Sequence, residues 1–181
     1  MKKALVIGVG PLNGLGAQLC KKIANNNFEV FVAGRTKDNL DLVVNDIIQD
    51  GNKAKSLVID TTNEAHVKEM TKLVGSGLDF AVYNVGNNRP GKIIDMDASY
   101  FKESWETGCF GGFLFAKEVI KTFLKEKKGR SARLSPATKF GRAVWVVEGA
   151  SGGAYQPKIW PAAAGASCIR GGAVRQRTSS A

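Results

Sequence analysis

At 181 residues and a net charge of +10, the chain has the length of one domain with a sizeable core. Three cysteines without disulfide or metal spacing (Cys20, Cys109 and Cys168) and one histidine, His66, argue against a metal site and for a reduced, cytoplasmic setting. No segment approaches the ~20 apolar residues of a membrane span, and Ala4 to Val9 is too short for a signal-peptide core.

The first informative stretch is Lys3 to Gly16, KALVIGVGPLNGLG. Ala4-Leu5-Val6-Ile7 predicts a buried strand, being too short for a helix and rich in branched residues. Glycines follow at Gly8, Gly10, Gly14 and Gly16, and then Leu15, Leu19, Ile23 and Ala24 recur at helical spacing. A strand, a glycine turn and a helix in that order build a nucleotide-phosphate site. Glycine lets the backbone approach the ligand, and the helix N-terminus offers unpaired N–H groups and partial positive charge. The candidate contacts are Gly10, Leu12, Asn13, Gly14, Leu15 and Gly16. The bland alternative is a glycine-rich turn with no ligand.

Phe28 to Ala33 predicts the second strand, with Gly34-Arg35-Thr36 at its C-terminal end. In a doubly wound sheet the adenine ribose lies outside the strand tips at this point. A NAD site usually places a carboxylate there; this chain has Arg35, whose guanidinium matches a 2′-phosphate in geometry and charge. NADP is therefore expected over NAD, with Arg35 and Thr36 as contacts; the alternative is a solvated Arg in a turn. Asp38 to Asp50 predicts a helix with Leu40, Val43, Val44, Ile47 and Ile48 inward, and Gly51 suits its C-terminal end. Lys53 to Ile59 predicts the third strand, ending in Asp60-Thr61-Thr62-Asn63. Asp60 at that end could accept from an adenine amino group or cap the next helix, Glu64 to Val74; Thr62 and Asn63 are equally able caps. His66 falls on the polar face of that helix and reads as a surface residue. Leu78 to Tyr83 predicts the fourth strand, followed by Asn84-Val85-Gly86.

The spacing G-x-x-x-G-x-G at Gly10, Gly14 and Gly16 resembles the short-chain dehydrogenase/reductase family. Tyr83-Asn84-Val85-Gly86 looks like a variant of the Asn-Asn-Ala-Gly that the family carries after its fourth strand. Asp60-Thr61 matches the family's adenine-ring aspartate, and Arg35 its NADP-type arginine. The resemblance covers about residues 3 to 124. It implies an α/β, doubly wound (Rossmann-type) parallel sheet with helices on both faces, a cofactor along Asn84, Val85 and Gly86, and an oxidoreductase that transfers hydride to or from a small carbonyl or alcohol.

Ser99 to Lys127 predicts a long helix with Phe101, Trp105, Gly108/Cys109, Gly112/Phe113, Ala116, Val119/Ile120 and Phe123 on one broad inward stripe. In the family this helix often packs against a partner's copy, so a homodimer through residues 99–127 is a further expectation. The family's relay asparagine aligns with Gly108, which has no side chain to serve.

The last third differs. Residues 125–181 hold eleven of the 26 Lys and Arg and two of the 16 acidic residues, so this segment carries +9 and residues 1–124 carry +1. It is rich in Gly, Ala, Ser, Arg and Pro, with one short apolar run, Ala143 to Val147, which reads as a short strand placed late. The expected division is a dinucleotide-binding unit, 1–128, and a basic, poorly ordered tail, 129–181, that leaves the sheet incomplete at its C-terminal end. The family's proton donor is a Tyr with a Lys four residues on and a Ser about a dozen residues before. Here Tyr155 and Lys158 are three apart with Pro157 between them, which a helix does not accommodate; Ser131 and Ser135 are too far and Ser151 too close. The catalytic residues are therefore unknown, and catalytic impairment is expected. A reading-frame shift near Lys128 would account for the changed composition, the lost triad and the short chain together. Shifted by one base, Gln156 to Pro161 can encode Ser-x-Lys-Phe-Gly-Leu, which resembles the family.

The competing reading is a non-catalytic nucleotide-binding module whose basic tail takes nucleic acid or an anionic partner, with Trp145, Tyr155 and Trp160 as stacking groups. The charges are scattered without a binding motif, so nucleic acid is not the expected partner.

Overall fold

The computed structural model describes residues 1–86 and 92–126 in full, together with the backbone of 130–133 and 145–148. Strands and helices alternate: β1 (Lys2–Ile7), α1 (Leu15–Ala24), β2 (Phe28–Gly34), α2 (Lys37–Gln49), β3 (Lys53–Val58), α3 (Glu64–Val74) and β4 (Leu78–Tyr83). Beyond β4 come a short 3₁₀ turn at Ile93–Asp95, α4 (Ala98–Trp105), a π-helical turn at Glu106–Phe110, α5 (Gly111–Glu126), β5 (Arg130–Arg133) and β6 (Trp145–Glu148).

The sheet runs β3-β2-β1-β4-β5-β6. The first five strands are parallel and β6 is antiparallel to β5. Strand order reverses between β1 and β4, the switch point of a doubly wound sheet, where a crevice opens beyond the strand tips.

Both faces are covered, so the central strands are apolar on both sides. Alternation along β1 sends Leu5 and Ile7 to one face and Val6 to the other. Leu5 and Ile7 join Phe31, Val67, Met70, Phe115, Val119 and Phe123 beneath α3 and α5. Val6 joins Ala17, Cys20, Val30, Val32, Leu40, Val43 and Ile47 beneath α1 and α2. Each fully buried Val, Leu, Ile or Phe contributes about 1.5–3 kcal/mol, so these two layers hold the strand tips in place.

Local chemistry sets the element ends. Gly51 ends α2 with φ +79° and its N–H on the Ile48 carbonyl. Asn63 is the residue that caps α3, its Oδ1 accepting from the Ala65 and His66 amides at 2.9 and 3.3 Å. Asp60 does not cap that helix.

Not every apolar position at helical spacing faces the core. The buried residues of α1 are Gly16, Ala17, Cys20 and Ala24; Leu15 is exposed, and Leu19 and Ile23 flank the core. Ile48 of α2, expected inward, is exposed, whereas Leu40, Val43, Val44 and Ile47 are buried. The largest departure is in the long helix. Phe101 is 65% exposed, Trp105 50% and Phe113 49%, while Leu114, Phe115, Val119 and Phe123 are buried. The π turn between α4 and α5 inserts an extra residue per turn, so a stripe drawn at constant helical period loses phase across it. The sheet also extends past residue 128: Arg130–Arg133 pairs with β4 although its Arg-Ser-Ala-Arg sequence has no apolar run to mark a strand.

Candidate functional site

A cleft of about 220 Å³ opens beyond the C-terminal ends of β1 to β4, with the π turn forming part of its wall. Its floor is mostly backbone. The amides of Gly8 and Val9 both donate to the Ala33 carbonyl at 3.0 Å, which draws the end of β1 onto β2. Gly34 sits at that crossing, where a Cβ would lie 2.6 Å from the Val9 carbonyl oxygen. On the other side the Asn84 amide donates to the Ile7 carbonyl at 2.8 Å, and Asn84 Nδ2 donates to the Gly8 carbonyl at 3.0 Å. The Asn84 side chain thus ties β4 to β1. Gly8 has φ +91°, and a Cβ there would lie 2.5 Å from the Asn84 carbonyl carbon. Gly10 differs: a Cβ there would meet nothing within 4 Å among the described residues, and Gly10 lines the cleft.

The remaining glycine-loop residues do not line the cleft. Gly14 is the N-cap of α1 and its amide donates to the Pro11 carbonyl at 2.8 Å. Leu12 packs on the α1–α2 core and its carbonyl accepts from Gln18 Nε2 at 3.2 Å; Asn13 and Leu15 are exposed. Gly16 lies directly behind the floor, where a Cβ would be 2.8 Å from the Gly8 carbonyl oxygen and 3.0 Å from Asn84 Nδ2. The start of α1 therefore presses on the cleft floor. Among the described residues no side chain caps that helix, and its first turn carries no acid, so its positive end keeps its capacity for an anion.

Arg35, Thr36, Asp60, Thr61, Val85 and Gly86 all line the cleft with Gly10 and Asn84. Arg35 and Thr36 are exposed at the tip of β2, and Arg35 makes no hydrogen bond or ion pair among the described residues. Asp60 is half-buried. Its Oδ1 accepts from the Thr62 amide at 2.9 Å and the Thr62 hydroxyl at 2.8 Å. The Thr62 amide bond is the main cause holding the Asp60 carboxyl below its ordinary value; burial opposes it, and the Thr62 hydroxyl, Arg35 and His66 add to it. His66 is exposed on α3, its Nδ1 accepting a long bond from the Asp60 amide at 3.4 Å.

The cleft also contains residues that sequence reasoning missed: Ile7, Gly8, Val9, Gly34, Ile59 and Thr107. All but Thr107 neighbour the strand ends, and their positions follow from the strand boundaries. Thr107 is in the π turn, where no periodicity marks it. Among the described residues no three His, Cys, Asp or Glu side chains form a group that could hold a metal ion, and no helix is long and apolar enough to cross a membrane. Ser135, Ser151, Tyr155 and Lys158 lie outside the described residues; Ser131 is in β5, paired with Ala81.

The family model for short chain dehydrogenase matches residues 2–156. An uncharacterized oxidoreductase of Staphylococcus aureus (strain N315) is 27% identical over 142 residues, covering 77% of this chain and 60% of that protein. The chain thus spans about three fifths of the length of that curated relative. A short-chain type dehydrogenase/reductase from Mycobacterium marinum superimposes with a TM-score of 0.70 at 25% identity, over 79% of this chain and 60% of that one. An actinorhodin polyketide ketoreductase variant, solved with NADPH, shares the fold with a TM-score of 0.66 at 24% identity, over 74% of this chain and 52% of that one. With most of its length matched by the family model, the chain belongs to the short-chain dehydrogenase family.

Proposed function

We propose that residues 1–128 hold the NADP-binding site of an oxidoreductase acting on a small carbonyl or alcohol, and that 129–181 is a basic segment that contributes the edge strands β5 and β6 to the same sheet. The observation that carries this reading is the cleft itself: backbone at the switch point, space over Gly10 that no described residue fills, and an exposed guanidinium at the tip of β2 with no hydrogen bond or ion pair among the described residues. Gly10 and the uncapped start of α1 would hold the pyrophosphate. Arg35 and Thr36 would hold the 2′-phosphate, Asp60 and Thr61 the adenine, and Asn84, Val85 and Gly86 the backbone side of the ribose. When bound, the cofactor would supply the hydride chemistry; this chain's residues bind and orient it.

The NADPH in the ketoreductase structure supports the choice of cofactor class. Arg35, with no carboxylate beside it on the tip of β2, supports NADP over NAD. No Tyr-x-x-x-Lys pair occurs in the sequence, so binding is expected to outlast efficient turnover. The exposed Phe101, Trp105 and Phe113 support a homodimer through α4 and α5.

Calorimetric titration of the full chain with NADPH and NADH, alongside Arg35→Asp, tests the reading. NADPH should bind at least about tenfold tighter than NADH, about 1.4 kcal/mol, and the substitution should abolish the preference. Equal binding of both cofactors, unchanged by the substitution, would refute the role of Arg35; binding of neither would refute the cofactor reading.

A further inference from the structure

Tyr83, the last residue of β4, is 2% exposed and its ring packs on Phe115 with centroids 5.3 Å apart. It does not line the cleft, yet its hydroxyl touches two residues that do. It donates to the Thr107 carbonyl in the π turn and lies 3.4 Å from Thr61 Oγ1. Gly111 makes room for this arrangement: a Cβ there would lie 2.7 Å from the Tyr83 hydroxyl and 2.9 Å from Thr61 Oγ1. The side-chain hydroxyl of Thr107 is turned back into its own helix, donating to the Glu103 carbonyl at 2.8 Å. The π turn is therefore held from the sheet side through its backbone. A π turn is an irregular element with poorer internal bonding than an α-helix, and such turns are frequent at functional sites.

We infer that Tyr83 is a positioning residue that sets the width of the cleft between Thr61 and Thr107. The hydroxyl fixes the Thr107 wall relative to the end of β4, and Gly111 allows the close approach. This inference rests on the cofactor reading above, in which Asp60 and Thr61 mark the adenine end. A wall held at that distance would discriminate between adenine and a bulkier base.

The test compares NADP with its 1,N6-etheno-adenine analogue on the full chain, as wild type and Tyr83→Phe, which keeps the ring and deletes the hydroxyl. Wild type should prefer NADP, and the phenylalanine variant should lose about fivefold of that preference, the effect of one hydrogen bond. Gly111→Ala, whose Cβ displaces the hydroxyl from the other side, should lower the preference in the same way and serves if Tyr83→Phe does not fold. A merely structural role would weaken both ligands equally, so an unchanged preference in the folded variant overturns the inference. Wild-type binding of neither ligand overturns the cofactor reading and this inference with it.

Discussion

Gly8→Ala and Gly10→Ala add the same methyl group two residues apart, and the structure gives them opposite consequences. At Gly8 the backbone has φ +91°, which costs an L-residue about 1–2 kcal/mol. The new Cβ would also stand 2.5–2.6 Å from the Asn84 carbonyl carbon and oxygen and the Val85 nitrogen, all of them backbone. Relieving that overlap parts the tips of β1 and β4 and strains the two Asn84 bonds, at 2.8 and 3.0 Å, each contributing about 1 kcal/mol. Together the loss is about 3–4 kcal/mol, a fall of roughly 6–16 °C in Tm for a domain of this size. At Gly10 the Cβ meets nothing within 4 Å among the described residues, so stability should change by less than about 1 kcal/mol. That same open space is where the cofactor phosphate is proposed to lie, and the methyl group should weaken NADPH binding about tenfold, or roughly 1.4 kcal/mol. Urea unfolding and calorimetric titration measure the two quantities separately. A Gly8→Ala protein within 1 kcal/mol of wild type would refute the account of the strand junction. Undiminished NADPH binding by Gly10→Ala would refute the placement of the phosphate.

Two further predictions concern titratable groups. The Asp60 carboxyl is held below the ordinary aspartate value of 3.8, so its charged form stabilises the folded state above that pH and the contribution is lost as pH falls through the lowered value. Asp60→Asn should therefore flatten the acid limb of the stability profile below about pH 4, and an acid limb identical to wild type would contradict the Thr62 bonds as its cause. Burial pushes the Cys20 thiol up to about 12, whereas Cys109 is exposed in the π turn. Maleimide should label Cys109 in the native protein and Cys20 only after unfolding, as read by peptide mass spectrometry; equal labelling rates would show that α1 does not bury Cys20 as described.

Much of the sheet was legible because its signals are local. Leu78-Asp79-Phe80-Ala81-Val82-Tyr83 and Phe28-Glu29-Val30-Phe31-Val32-Ala33 are short branched or aromatic runs ending in glycine or asparagine, and both form strands. The alternation of β1 names both core layers at once, since Leu5 and Val6 must face opposite ways. Cleft residues at strand tips follow from the same boundaries. The loop between Gly10 and Gly16 was less legible. Its spacing identifies a turn before a helix, but which of its residues border the cleft depends on how α1 packs, and Leu12 turns into the core instead. Likewise Arg130–Arg133 becomes a strand by pairing with β4, a tertiary contact that its own composition does not announce.

The long helix shows why phase is harder to read than existence. Every residue from Ala98 to Glu126 is helical in some form, so the pattern identified the element correctly. Periodicity assumes a constant turn, and the five-residue π segment breaks that assumption at Glu106. Downstream of it Leu114, Phe115, Val119 and Phe123 face the sheet, while Phe101, Trp105 and Phe113 are left outside. The break is contacted from a distant strand: Tyr83, 24 positions before Thr107, donates to its carbonyl beside the bare backbone of Gly111. A tyrosine at the end of one strand, a threonine in a helix and a glycine after it carry no signal singly. Their meaning comes from the sheet, which brings the end of β4 under the helix and turns a local irregularity into one wall of the cleft.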